Sequence, residues 1–204
     1  MDKKKIFHGT LVLVVICLVS GLLLGLAYSV TAPIIEAREL AEKAAAYQSL
    51  FPDAAEFVND DALDAFVADQ DAILEGSGYE AATINECMYA LDADGNILGY
   101  CLSVRTAGSQ DILVTGVGYR ADHHLAGINI LQNSESPGLG QEASKDYFTE
   151  QFTDKDVEYF VVTKRGASAD NEIDALTGAT ITSNAVVLAV NAAMYFSEYV
   201  IANS

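Results

Sequence analysis

The stretch "DALTGATITSNAVVLAVNAAMYFSEYVIA", Asp174–Ala202, passes from small hydroxyl residues into a long apolar run. Ile181, Val186, Val187, Val190, Met194 and Val200 recur near helical spacing, which predicts a terminal helix packed on a sheet. Ahead of it, "TGAT" (Thr177–Thr180) supplies hydroxyls and a glycine where a helix begins. Two readings stand for that mouth. Thr182, Ser183 or Asn184 can cap the helix, or the free N–H groups of its first turn can hold a phosphate. Local physics alone favours the cap.

Working towards the N-terminus, strand-length pieces supply the sheet. "DILVTGVGYR" and "LAGINILQN" flank the turn "ADHH", and "VEYFVVTK" reads as a further strand. Cys87 and Cys101 bracket two alternating runs around Asp94-Gly95, a β-hairpin signal. A three-residue loop would place the two thiols opposite each other, and a two-residue loop would place them on opposite faces; buried free thiols are expected. "IIEARELAEKAAAYQSLF" is an amphipathic helix ended by Pro52, and "DDALDAFVADQDAILEG" is a weaker helical stretch. The fold class is α+β, an antiparallel β-sheet with packed helices. The expected organisation is a stub at 1–5, a transmembrane helix at 6–32, a juxtamembrane helix at 33–51 and one domain at 52–204.

The N-terminus sets the location. From Ile6 to Ile35 there is no Asp, Glu, Lys or Arg, a span beyond the roughly 20 apolar residues that cross a bilayer core. Lys3, Lys4 and Lys5 precede it and should remain in the cytoplasm, leaving the main domain extracytoplasmic. A cleaved signal peptide shares the positive start but has a shorter apolar core, and Pro33 follows the best small-residue site. A retained single-pass anchor in the plasma membrane is expected. The formal net charge of -18 excludes nucleic acid as a partner, since phosphate backbones are neutralised by lysine and arginine.

Catalytic chemistry is sparse. His123 and His124 are the only histidines beyond the N-terminal region, and neighbours in one turn make neither a nucleophile triad nor a joint metal site. No metal ligation is expected, and no dinucleotide or Walker fingerprint is present. "SESPGLGQEAS", Ser134–Ser144, is a loop whose glycines permit close backbone approach to a ligand.

The D-x-x-T-G-A-T pattern from Asp174 to Thr180, with "ESPGLG" before it and one anchor in front, resembles the G subunit of the Rnf electron-transport complex. The C subunit of the sodium-translocating NADH:quinone oxidoreductase is a close relative. The resemblance implies an FMN-binding domain with flavin mononucleotide joined to Thr180 as a phosphoester. Thr177, Gly178, Ala179 and Asp174 then match the recognition element of a flavin transferase. Glu135, Ser136, Pro137, Gly138, Leu139 and Gly140 match a second loop lying against the flavin, with Ser136 departing from the threonine that relatives often carry.

The implied function is electron relay in an ion-translocating ferredoxin:NAD+ oxidoreductase, with other membrane and peripheral subunits as partners. No residue is assigned a catalytic role, and little activity is expected from the isolated chain. Three other readings remain open at this point: a component of the quinone reductase, a free-standing extracytoplasmic flavoprotein, and a non-redox structural or ligand-binding ectodomain.

Overall fold

A computed structural model describes residues 3–203, so Met1 and Asp2 of the expected stub lie outside the described residues. The chain divides into two compact units, Met1–Lys43 and Ala44–Ser204. The first is helical: α1 (Lys3–Leu50) spans it with Pro33 inside and contributes its last residues to the second unit. Large apolar side chains from Phe7 to Leu40 are exposed along it. By length and composition this helix suffices to cross a membrane.

In the second unit follow β1 (Glu56–Val58), α2 (Asp61–Ala68), α3 (Gln70–Leu74), β2 (Thr83–Leu91), β3 (Ile97–Ala107), β4 (Ile112–Arg120) and β5 (Leu125–Asn133). After these come α4 (Asp146–Thr149), β6 (Val161–Thr163), β7 (Glu172–Asp174) and α5 (Thr180–Asn203). The first five strands form one antiparallel meander in the order β1-β2-β3-β4-β5, and β6 and β7 make a separate parallel pair. The weak helical stretch resolves into α2 and α3. Asp60 caps α2 by accepting from the Leu63 N–H at 2.8 Å.

Both faces of the meander are covered. On one, Leu102, Val104, Leu113 and Val117 pack with Val186, Val190 and Phe196 of α5, all fully buried. On the other, Tyr47 and Phe51 pack with Ala90, Cys101 and Ala126. Glycines make room for this second layer. A side chain at Gly99 would begin 2.8 Å from Phe51, and one at Gly118 would begin 3.1 Å from Leu50 and Phe51. α5 is apolar enough to suit a membrane too, but two thirds of its most apolar window is buried in the domain. The periodicity placed Ile181 with the core face; it is instead 61% exposed, one residue into the helix and short of the sheet.

The hairpin settles the thiols. Next to the loop, Leu91 pairs with Ile97, a register that extended inward would set Cys87 opposite Cys101. A bulge then shifts the pairing, so that Ala90 faces Gly99, Cys87 faces Leu102 and Met88 faces Cys101. Cys87 thus joins the α5 face and Cys101 the Tyr47 face, both as free buried thiols. His123 and His124 fall in the β4–β5 turn, as expected, each beside a carboxylate: His123 by Glu198 at 2.7 Å and His124 by Asp122 at 3.3 Å.

Candidate functional site

Two turns of the same build meet at the start of α5. In the first, the Leu139 N–H bonds to the Ser136 carbonyl at 3.2 Å, with Pro137 second and Gly138 third at φ +70°. In the second, the Ala179 N–H bonds to the Leu176 carbonyl at 3.0 Å, with Thr177 second and Gly178 third at φ +75°. A positive φ at the third position is the glycine requirement of a type II turn. The turns touch: the Leu139 side chain lies 3.0 Å from where a side chain on Gly178 would begin.

Beneath them sits Glu135, 4% exposed. Its carboxylate accepts from the backbone N–H groups of Ser109 at 2.8 Å and Gln110 at 3.0 Å, and from the Thr182 hydroxyl at 2.9 Å. Burial opposes its charge, yet the donors from Gln110, Thr182 and Ser109 prevail and hold its pKa below the ordinary glutamate value. Gly140 allows this closeness, because a side chain there would begin 2.6 Å from the Glu135 Cβ and 2.7 Å from the Thr182 hydroxyl. One buried anion therefore ties the β3–β4 turn, the 134–140 loop and α5 together.

α5 begins at Thr180 itself, which corrects the capping role open to Thr182, Ser183 and Asn184. Thr182 and Ser183 lie inside the first turn and point elsewhere. Thr182 holds Glu135, and the Ser183 hydroxyl accepts from the Leu176 N–H at 2.9 Å and donates to the Ala179 carbonyl at 3.0 Å. Asn184 is exposed. The Ser183 N–H reaches the Ala179 carbonyl at 3.0 Å, so the N–H groups of residues 180–182 precede the helical ladder. Thr180 stands half-exposed among them.

A cleft of about 800 Å³ opens beside the turns. Gly138, Leu139, Asp174 and Thr177 line it, together with Tyr147 and Gln151, and residues 167–170 and Glu172 form another part of its wall. The Asp174 carboxylate accepts from the Ala167 N–H at 2.8 Å, and its own N–H bonds to the Gln151 side chain at 2.7 Å, so this acid shapes the wall. Of the residues read from the sequence, Asp174, Thr177, Gly138 and Leu139 face the cleft. Glu135, Gly140 and Ala179 are buried beneath it, Ser136 is half-buried, and Pro137 and Gly178 are exposed.

Tyr147, Gln151 and Lys155 also line the cleft and carry no sequence signal, since "KDYFTEQF" reads only as a short helix or loop. Among the described residues, no group of three or more metal-ligating side chains converges. The arrangement suits a phosphate ester: a half-exposed threonine hydroxyl, N–H groups ahead of the ladder and a glycine turn allowing close approach. The cleft reaches Thr177 of that turn, and Thr180 itself is not among its lining residues.

Residues 108–195 match the FMN-binding domain family. Over 194 residues the chain is 34% identical to the G subunit of the Na(+)-translocating ferredoxin:NAD(+) oxidoreductase complex of Acetobacterium woodii, covering 94% of this chain and 91% of that one. It is 28% identical over 193 residues to the G subunit of the proton-translocating ferredoxin:NAD(+) oxidoreductase complex of Clostridium ljungdahlii, covering 95% and 92%. A crystal structure of the C subunit of the Na(+)-translocating NADH-quinone reductase from Parabacteroides distasonis superposes with a TM-score of 0.48 at 25% identity, over 56% of this chain and 61% of that one. Near-complete alignment to these G-subunit relatives, with the two motif turns inside the matched domain, establishes that the chain belongs to the G-subunit family of Rnf-type ion-translocating oxidoreductases.

Proposed function

We propose that this chain is the membrane-anchored electron-transfer flavoprotein component of an Rnf-type ferredoxin:NAD+ oxidoreductase, coupled to Na+ or H+ translocation. The observation that carries the reading is the meeting of the Ser136–Leu139 and Leu176–Ala179 turns at the start of α5, in a chain of the Rnf G-subunit family. A flavin transferase that reads Asp174, Thr177, Gly178 and Ala179 joins FMN to Thr180: the hydroxyl oxygen forms the new P–O bond as the P–O bond to the leaving group of an activated flavin-phosphate donor breaks, and the hydroxyl proton is released. The N–H groups at the α5 start hold the phosphate charge, and Leu139 and Gly138 border the flavin. Bound FMN supplies the redox chemistry.

The protein's own share is to anchor, orient and shield the cofactor. Glu135 acts from below, fixing the loop and helix through three hydrogen bonds rather than by touching the flavin. A covalent link suits an extracytoplasmic cofactor, because a dissociated flavin would be lost by dilution. The helix around residues 6–32 crosses the membrane once with Lys3–Lys5 inside. Ferredoxin and nicotinamide bind other subunits, so the isolated chain has little activity of its own.

The test is intact-protein mass spectrometry on the chain co-expressed with a flavin transferase. The wild type should carry one FMN adduct and fluoresce in a denaturing gel, and Thr180→Ala should lose both while remaining folded. An adduct that persists in Thr180→Ala would overturn the assignment.

A further inference from the structure

At the far end of α5, about 27 Å along the helix axis from Thr180 by the rise per residue, a second cleft of about 530 Å³ opens. Tyr79, Tyr119, Tyr159 and Tyr195 line it. Tyr79 and Tyr195 stand edge to face with centroids 6.1 Å apart, and Tyr159 and Tyr195 are 46% and 42% exposed. Asp156, Glu158 and Glu198 bring negative charge, and the lining includes no lysine or arginine.

Glu198 is held in place. The Tyr119 hydroxyl and His123 Nδ1, the latter at 2.7 Å, both engage its Oε1. Its Oε2 takes no hydrogen bond among the described residues. His123 reaches this position from a left-handed backbone conformation, φ +70°, which a non-glycine residue adopts only when its surroundings enforce it. Burial, and then the hydrogen bond and charge of Glu198, keep Tyr119 protonated, and burial and Glu158 act likewise on Tyr79. Tyr119 and Tyr79 therefore present neutral rings.

Aromatic faces beside carboxylates, one of them held in place, attract a cation, and a planar guanidinium both stacks on rings and bonds to carboxylates in a fork. We infer that this cleft docks an arginine side chain of a partner polypeptide. Charge complementarity carries the choice of occupant: the chain has a net charge of -18, and here its acids face an aromatic recess. The volume exceeds one side chain, leaving room for the partner's flanking backbone. The inference is independent of the flavin reading and goes beyond it, since the cleft lies at the opposite end of α5.

The three methionines, Met1, Met88 and Met194, provide the test. Met194 lines the cleft, whereas Met88 packs in the cluster on the opposite face of the sheet and serves as the control. The full chain in detergent, with 13C-methyl-labelled methionine, is titrated with the capped peptide Gly-Arg-Gly.

The Met194 methyl signal should shift saturably while that of Met88 stays. Glu158→Gln and Tyr195→Ala should each weaken binding by about tenfold, the scale of a lost ion pair or cation–π contact in a partly desolvated site. The capped citrulline and lysine peptides should shift Met194 little, and N-acetyl-argininamide should bind no tighter than the peptide. No Met194 shift, an equal response to citrulline or lysine, tighter binding of the free amide, or undiminished binding in both variants would overturn the inference. The comparison of peptides needs only the wild-type chain, so it stands even where a variant fails to fold.

Discussion

The Thr182 hydroxyl donates to the buried Glu135 carboxylate at 2.9 Å, joining the first turn of α5 to a loop 47 positions earlier. Removing that donor leaves a buried anion with fewer partners. Thr182→Val should therefore cost about 1–3 kcal/mol, measured by denaturant unfolding of the detergent-solubilised chain, and Thr182→Ser should recover most of it. Equal losses in the two variants would assign the effect to packing instead.

Glu135 also gives stability a pH dependence. Its folded-state pKa lies below the ordinary value of 4.5, so the unfolded chain binds more protons in the interval between the two. The stabilisation is fully present above 4.5 and is lost as pH falls through the lower, folded-state value. The stability difference between the wild type and Glu135→Gln should therefore shrink on acidification through that window. A constant difference in thermal midpoints would contradict it.

Gly99 admits no side chain. An added methyl would begin 2.8 Å from the Arg120 Cα and 2.8 Å from the Phe51 ring, and the backbone neighbour cannot rotate away. Gly99→Ala should lower stability by about 1–3 kcal/mol, the usual cost of overpacking, read from the urea midpoint. It should also expose Phe51, seen as faster hydrogen exchange at the Phe51 N–H, which bonds to the Tyr47 carbonyl at 3.0 Å.

Cys87 and Cys101 should stay free thiols under oxidising conditions, because the bulged register sends them to opposite faces of the sheet. Burial, helped by the charge of Glu86, pushes the Cys87 thiol up to about 12, so little of the reactive thiolate exists at neutral pH. Alkylation of the native protein should spare both residues. Alkylation after unfolding without reductant should label both, by mass spectrometry.

Much of this was legible in local pattern. Alternation marked β4 and β5, the helical spacing of Val186, Val190 and Met194 marked α5, and turn residues marked the hairpin and both motif loops. Each signal depends on residues within a few positions of one another, which is the range over which backbone conformation and burial of one face are encoded. The apolar run with its leading lysines and the ordered pair of motifs were equally local, and they sufficed to suggest the family.

The site's internal arrangement was not local. A hydroxyl in the first turn of a helix looks like a cap, and only the folded chain shows that Thr182 turns to Glu135 and Ser183 back to Leu176. Tyr147, Gln151 and Lys155 reach the cleft from the 140–155 segment, which Gln151 ties to Asp174, a placement no periodicity predicts. The thiols' faces likewise hung on one bulge, since a single inserted residue reverses side-chain parity along a strand. Periodicity tells which face of an element is buried; the partner across that face is chosen by packing and by the need of a buried carboxylate for donors, and both are properties of the whole fold.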